Sequence, residues 1–240
     1  MIRSAWVGLN IALATLFFGT IVIVASLLGV RGRLYFWATQ QWSRVVLWAS
    51  NVSVTAHGID RVDWNSPHVL VCNHVSFYDV FALASILPTP FAFVAKKELA
   101  RIPFFGIAWR VAGHISIDRS DRASAIQSLR KAGESIREHR STVIIFPEGT
   151  RSLTGQMLPF KKGAFNLAIE ARVPILPVVV IGSADVQRPG SLRVRSGPIH
   201  LYFGEPMPPP SSANGALEPY MASVRRRMEE MLEQAAPARA

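Results

Sequence analysis

The hydrophobic pattern changes once along the chain, at about Ser50. From Ala5 to Val30 the residues are almost wholly apolar, interrupted only by small residues and by Asn10, Thr15, Thr20 and Ser26. Such a run exceeds the roughly 20 residues a helix needs to cross a bilayer, so it reads as a membrane segment. A cleaved leader fits poorly, because the run outlasts an apolar region of about 7 to 15 residues and no A-x-A site follows. Leu34 to Ser50 mixes Tyr35, Phe36, Trp37, Trp42 and Trp48 with Gln40, Gln41 and Arg44, the pattern of an interfacial amphipathic helix. Together the two stretches predict a helical hairpin that spans the bilayer or rests in one leaflet, with a helix packed on the domain as the alternative. Arg3 precedes the apolar run, whereas Arg31, Arg33 and Arg44 follow it. If it spans, the positive-inside tendency places the rest of the chain on the cytoplasmic side.

Beyond Ser50 short apolar runs alternate with longer stretches of helical period. Val69 to Cys72, Phe91 to Ala95, His114 to Asp118, Thr142 to Phe146 and Ile175 to Ile181 read as strands, the buried ones as near-continuous apolar runs. Between Asp121 and Arg140, Ile126, Leu129 and Ile136 recur at helical spacing with charges between them, as in a helix that covers a sheet. Alternation of this kind predicts an α/β fold, a largely parallel sheet flanked by helices, with ligands at the carboxyl ends of its strands. Met207 to Ser212 is a proline-rich turn, and Glu218 to Gln234 a polar helix before a frayed tail. The division expected is residues 1–50 as membrane-associated helices and 51–240 as one catalytic domain.

Charge narrows the class of partner. Across 240 residues, 26 Lys and Arg against 16 Asp and Glu leave a formal charge of +10, which favours anionic partners. Half of the residues are hydrophobic and the chain has no zinc-finger, RNP or basic-zipper pattern, so an acidic membrane fits better than nucleic acid. Cys72 is the single cysteine, which excludes an internal disulfide and a multi-cysteine zinc site. It closes an apolar strand and reads as an inert core residue rather than a nucleophile.

The candidate chemistry lies where strands end. Asn73-His74-Val75-Ser76-Phe77-Tyr78-Asp79 follows the run Val69 to Cys72. On one continuous helix His74 and Asp79, five residues apart, would point roughly 140° away from each other. If His74 lies in the strand-to-helix turn and the helix starts near Ser76, Asp79 in its first turn can reach back to the imidazole. A carboxylate-held imidazole keeps the tautomer that takes a proton from a hydroxyl. The same residues read equally as a capping box from Ser76 to Asp79, and the heptad alone does not decide between the two. Phe146-Pro147-Glu148-Gly149-Thr150-Arg151-Ser152 follows another strand; Arg151 offers a fork of donors to a phosphate, and backbone N–H groups near Gly149 can add to it. Lys97 and Arg119 are further cations near strand ends, with Lys161 and Lys162 ahead of the helix opened by Gly163.

Taken in order, these blocks resemble the glycerophospholipid acyltransferases typified by 1-acylglycerol-3-phosphate acyltransferase, over about Ala56 to Met207. The Asn-His-x4-Asp block is Asn73 to Asp79. The Lys-x2-Leu-x3-Pro-x2-Gly block, running on to Gly-x-Ile-x-Ile-x-Arg, is placed from Lys97 to Arg119. The Phe-Pro-Glu-Gly-Thr-Arg-Ser block stands at Phe146 to Ser152, followed by Phe160-Lys161-Lys162-Gly163, and Val-Pro-Ile-x-Pro is Val173 to Pro177. Val75 departs from the pattern, since a polar residue is frequent there, and this bears on acceptor preference.

The resemblance implies acyl transfer from acyl-CoA or acyl carrier protein, as co-substrate, to the hydroxyl of a lysophospholipid, giving phosphatidic acid. His74 would be the general base and Asp79 its orienting partner. Arg151, with Lys97 and Arg119, would hold the acceptor phosphate, and Glu148, Gly149 and Thr150 would belong to the acceptor site. Glu148 would fix the loop or bind a substrate hydroxyl, since a carboxylate repels phosphate. No cofactor and no metal are expected. Glycerol-3-phosphate, lyso-ornithine lipid or another lysolipid are alternative acceptors, and a non-catalytic lipid-binding protein is the alternative of another class. The expected location is a bacterial inner membrane, with the catalytic domain on its cytoplasmic side.

Overall fold

In the computed structural model, the residues described are 2–30, 32–118, 121, 124, 127–129, 132–133, 136, 141–211 and 215–235. Two helices come first, α1 (Ile2–Leu27) and α2 (Arg33–Ala49). Strands and helices then alternate as β1 (Val52–His57), β2 (Val69–Cys72), α3 (Tyr78–Ile86), β3 (Phe91–Lys96), α4 (Phe105–Val111), β4 (Ile115–Ile117) and β5 (Thr142–Ile145). The chain continues through α5 (Gly163–Ala171), β6 (Ile175–Ile181), the single turn α6 (Ser183–Val186), β7 (Gly197–Phe203) and α7 (Leu217–Ala235). Of the helix expected between Asp121 and Arg140, the described residues 124, 127–129, 132–133 and 136 are helical, and Ile126 lies outside the described residues.

The strands form one seven-stranded sheet in the order β1-β7-β6-β2-β5-β3-β4. Every neighbouring pair is parallel except β6 with β7, so β1 and β7 run against the other five. The five strands expected from the sequence are all present. β1 and β7 are additions; β1 alternates exposed with half-buried positions and β7 half-buried with buried ones, a weaker signal than the continuous apolar runs of β2, β5 and β6.

Period-two geometry divides the central strands between two apolar layers. Leu70, Cys72, Ile144, Leu176 and Val178 face the layer covered by α2 and α3. Val69, Val71, Val143, Ile145 and Ile175 face the layer covered by α5 and α7, with Phe165, Val224 and Met228 fully buried between. Because β2 is flanked by β5 and β6, the loops leaving β2 and β5 emerge side by side at the middle of the sheet edge.

The first two helices form the expected antiparallel hairpin, held by the Trp42 indole donating to Thr15 Oγ1 at 3.1 Å and by an edge contact between Phe18 and Trp37. One face of α1 lies on the domain along its length. Val7 joins the core near Val46 and Leu47, and Val22 and Ala25 pack with Tyr35 and Ala38. At Gly19 the ring of Phe104 comes so close that a Cβ would sit 2.6 Å from it. Phe104 itself holds a φ of 63°, a backbone conformation disfavoured for a bulky residue, which directs its ring at α1. The opposite face of α1 exposes Trp6, Leu9, Leu13, Phe17, Val24 and Leu27 at helical spacing.

Candidate active site

The turn after β2 is fixed before any substrate arrives. Asn73 extends the sheet with its side chain: Nδ2 donates to Val180 O at 3.1 Å and Oδ1 accepts from Val180 N at 2.7 Å. His74 follows, and its backbone N–H donates to Glu148 Oε1 at 2.9 Å, while its carbonyl accepts from Ser152 N at 2.8 Å. Helix α3 begins at Tyr78, two residues later than expected, leaving Asp79 in the first turn and fully buried. Asp79 Oδ2 lies 2.8 Å from His74 Nδ1 and accepts from the backbone N–H groups of Val75 and Ser76, each at 2.8 Å.

The two readings of the heptad therefore coexist in one oxygen. The Ser76 N–H to Asp79 bond is half of a capping box, and the imidazole bond is the catalytic-type contact. Ser76 Oγ does not complete the box; it donates to Gln187 O at 2.8 Å and accepts from Tyr78 N at 3.2 Å. The imidazole stacks on Phe146, with ring centroids 4.0 Å apart and planes 18° from parallel. With Nδ1 held by Asp79, Nε2 is the nitrogen left for a reacting hydroxyl.

Glu148 is buried, and both of its oxygens are used by the protein: Oε1 by His74 N and Oε2 by Leu158 N at 2.8 Å. Burial raises its pKa from the ordinary value, against the lowering effect of those two backbone donors. The carboxylate thus ties the loop after β5 to the loop after β2, one of the two roles weighed from sequence. Gly149 has a φ of 72°, a backbone conformation that favours glycine, and the end of the Lys161 side chain packs against it. Arg151 lays its guanidinium over the Phe77 ring, 3.8 Å from the centroid.

A cavity of about 550 Å³ opens here. His74, Gly149, Thr150 and Arg151 stand at its polar end. Its walls continue through Phe93 and Ala95 of β3, Ala108 and Trp109 of α4, and Thr15, Val22, Ala38 and Trp42 of the amino-terminal hairpin. Among the described residues, Arg151 is the one sequence-predicted cation that lines it. Lys97 turns instead to Asp118, and the lysine lining the cavity is its neighbour Lys96, which also has the two-residue spacing to Leu99 that the block requires. Arg119 lies outside the described residues. Cys72 is buried, and desolvation with the nearby Asp79 and Glu148 charges pushes its thiol pKa well up, against a nucleophilic role.

Sequence reasoning missed that α1 and α2 wall the cavity, since their apolar positions suit a membrane, the surface of the domain and a cavity alike. Thr15 and Gly19, four residues apart on the face opposite the exposed stripe, were the available hint. It also missed Phe77, Phe146 and His114. His114 sits at the apolar end among Phe93 and Trp109, and burial lowers its pKa to about 4.

Comparison with known proteins identifies the family. The sequence model of the family described as Acyltransferase matches residues 53–181. The 1-acyl-sn-glycerol-3-phosphate acyltransferase of Cocos nucifera is 37% identical over 74% of this chain, and the chain spans 56% of that relative. The enzyme of the same name from Saccharomyces cerevisiae is 31% identical over 91% of this chain and 73% of its own length. The crystal structure of the 1-acyl-sn-glycerophosphate acyltransferase PlsC from Thermotoga maritima superposes with a TM-score of 0.78 at 26% identity, covering 96% of this chain and 95% of that one. The chain spans little more than half the length of the plant relatives it matches. It belongs to the acyltransferase family, among the glycerophospholipid acyltransferases typified by 1-acylglycerol-3-phosphate acyltransferase.

Proposed function

We propose that this protein transfers an acyl group from acyl-CoA or an acyl carrier protein to the free hydroxyl of 1-acylglycerol-3-phosphate, giving phosphatidic acid. The observation that carries the reading is a His74–Asp79 pair at 2.8 Å, set at the polar end of an apolar-walled cavity with Arg151 on its rim. In this reading Nε2 of His74 takes the hydroxyl proton as the oxygen attacks the thioester carbonyl. The tetrahedral intermediate collapses with cleavage of the carbon–sulfur bond, and the imidazolium returns its proton to the departing thiolate. A thiol of pKa near 8.5 needs little acid help to leave. Asp79, held by two backbone N–H groups, keeps the productive tautomer and offsets the imidazolium charge.

Arg151 holds the acceptor phosphate in this reading, a charge-assisted contact worth on the order of 1.5 to 3 kcal/mol. The Phe77 ring beneath it limits the rotamers of the guanidinium and leaves its edge donors directed outward. Lys96 adds a second cation. An acyl chain fits the remainder of the cavity, whose polar groups are Thr15, Thr39, His114 and the indoles of Trp42 and Trp109, which donate to Thr15 and Ser116.

Membrane attachment follows from α1. Its 26 residues would extend about 39 Å and its composition passes for a bilayer span, yet the domain packs against it from Val7 to Ala25. A helix so covered along one side is suited to lie in the plane of one leaflet, with its exposed apolar stripe in the acyl region.

An acyl-transfer assay of membranes containing the protein tests the function, with a panel of lysolipid acceptors each offered CoA and carrier-protein thioesters. The expected result is labelled phosphatidic acid from lysophosphatidic acid. Preferential acylation of glycerol-3-phosphate or lyso-ornithine lipid would replace the acceptor, and no transfer to any acceptor would overturn the enzyme reading. Arg151→Ala is expected to raise the acceptor KM with kcat nearly unchanged; a fall in kcat alone would give Arg151 a transition-state or structural role instead.

A further inference from the structure

Residues 187–196, between α6 and β7, carry Arg188, Arg193 and Arg195 and no carboxylate. All three arginines are exposed, and among the described residues none is paired with an acid. The loop is held at both ends. Its carbonyl at Gln187 accepts from Ser76 Oγ at 2.8 Å, Arg195 N donates to Val186 O at 2.9 Å, and Val194 N donates to Ser4 Oγ at 3.1 Å. Arg3 of α1 adds a bond to Ser196 Oγ at 3.1 Å. Within this fixed frame Leu192 stands 87% exposed.

A single exposed leucine means little by itself. Its setting here is specific in three ways. The loop is fastened to the first turn of α1, where Ile2 is 89% exposed and Trp6 continues the apolar stripe. It is also fastened to Ser76, within the heptad that carries His74, so its base lies against the turn that carries that imidazole. Leu153 is 80% exposed as well, on a loop bonded to the same turn through Ser152 N and His74 O. Arginines around an apolar tip suit the boundary of an acidic bilayer, where the tip enters the acyl edge and the guanidinium groups meet lipid phosphates.

We propose that the loop 187–196 is a second membrane contact, in which Leu192 inserts into an acidic leaflet while Arg188, Arg193 and Arg195 bind its headgroups. This rests on the reading of α1 as an in-plane anchor and adds an orientation to it. One helix in the plane leaves the domain free to roll about the helix axis. A second contact beside Ser76 stops that roll with the mouth turned to the leaflet that holds lipid acceptors.

Cys72 is buried, so a cysteine introduced elsewhere in the full chain takes an environment-sensitive fluorophore selectively. Leu192→Cys, Leu13→Cys on the α1 stripe, and Glu205→Cys beyond the far end of β7 are labelled and mixed with vesicles carrying a lipid-borne quencher. In phosphatidylglycerol vesicles the labels at positions 192 and 13 are expected to be quenched and the label at 205 not. Replacing all three arginines by glutamine is expected to weaken partitioning to these vesicles by about tenfold or more. Partitioning to phosphatidylcholine vesicles is expected to stay the same. A quenched label at 13 with an unquenched one at 192 overturns the second contact and leaves the anchor standing. Loss of quenching at both overturns the two together, and full quenching at 192 in the glutamine variant overturns the headgroup role.

Discussion

The two ends of the cavity are built by different forces. Around His74 the atoms are held by directed bonds of 2.8 to 2.9 Å, from Asp79 to the ring and from Glu148 and Ser152 to the backbone. At the other end Phe18, Val22, Ala38 and Ala112 enclose a volume with side chains that make no directed bond to one another. The polar end is therefore specified in orientation and the apolar end only in size. A change of one atom type is expected to disable the first, and a change of one methyl group to retune the second.

The largest effect belongs to the imidazole. His74→Ala removes the imidazole proposed as proton acceptor and leaves Asp79 its two backbone donors, so the start of α3 keeps its cap. Turnover is expected to fall about a hundredfold to ten-thousandfold, with unchanged circular dichroism. A purified variant with near-normal turnover would remove the base from this position and leave the polar end a structural feature only.

Glu148 sharpens the contrast, because a glutamine of the same shape tests direction without changing size. Both carboxylate oxygens accept from backbone N–H groups, and an amide nitrogen in either place would set a donor against a donor. Glu148→Gln is therefore expected to behave nearly as badly as Glu148→Ala. The alanine leaves both backbone donors unsatisfied, and the glutamine leaves one and faces it with an N–H, each lost bond costing about 1 to 3 kcal/mol, with kcat lowered more than acceptor KM is raised. A variant of normal stability with only the acceptor KM raised would instead place this carboxylate on the substrate.

The apolar end should respond to bulk. Ala38 is fully buried on α2 with its Cβ toward the cavity wall, and Ala38→Leu would occupy the room of two or three methylenes. Each methylene of ligand displaced costs about 0.8 kcal/mol, so the preferred acyl chain is expected to shorten by that amount while short-chain turnover persists. Competition assays with chains of graded length, varied in donor and acceptor separately, measure this. An unchanged length preference for both would mean that no chain enters between the helices.

The same contrast separates what the sequence disclosed from what it withheld. Directed chemistry demands particular residue types at fixed offsets, and so Asn73 to Asp79 and Phe146 to Ser152 were visible as blocks, as were the continuous apolar runs of β2, β5 and β6. Volume leaves no such trace. Val22, Ala38 and Trp42 satisfy a membrane helix and a cavity wall equally well, because both environments ask only for apolar surface. β1 and β7 escaped for a related reason: each buries one side only, and six or seven alternating residues are easily lost among turns. Lys96 and Lys97 show the limit of spacing itself, since adjacent lysines at the end of β3 part company only when the chain enters its next turn, one toward the cavity and one toward Asp118.

His114 is the exception at the apolar end, a titratable group that the wall holds neutral, and it gives the smallest effect. Its Nδ1 accepts from Phe93 N at 3.3 Å, which requires that nitrogen to be unprotonated, and burial lowers its pKa from 6.5 to about 4. Between those values the unfolded chain binds a proton that the folded one refuses, so stability falls as the pH drops. Above about pH 6.5 the two states are equally neutral and the contribution is constant. The slope from this group is at most on the order of 1.4 kcal/mol per pH unit. His114→Asn keeps an acceptor for Phe93 N and removes the titration. Thermal midpoints in detergent at about pH 7, 6 and 5 are expected to fall more steeply for the native chain than for the variant. Parallel slopes would mean that His114 takes up its proton in the folded state, and that water reaches the end of the cavity assigned here to an acyl chain.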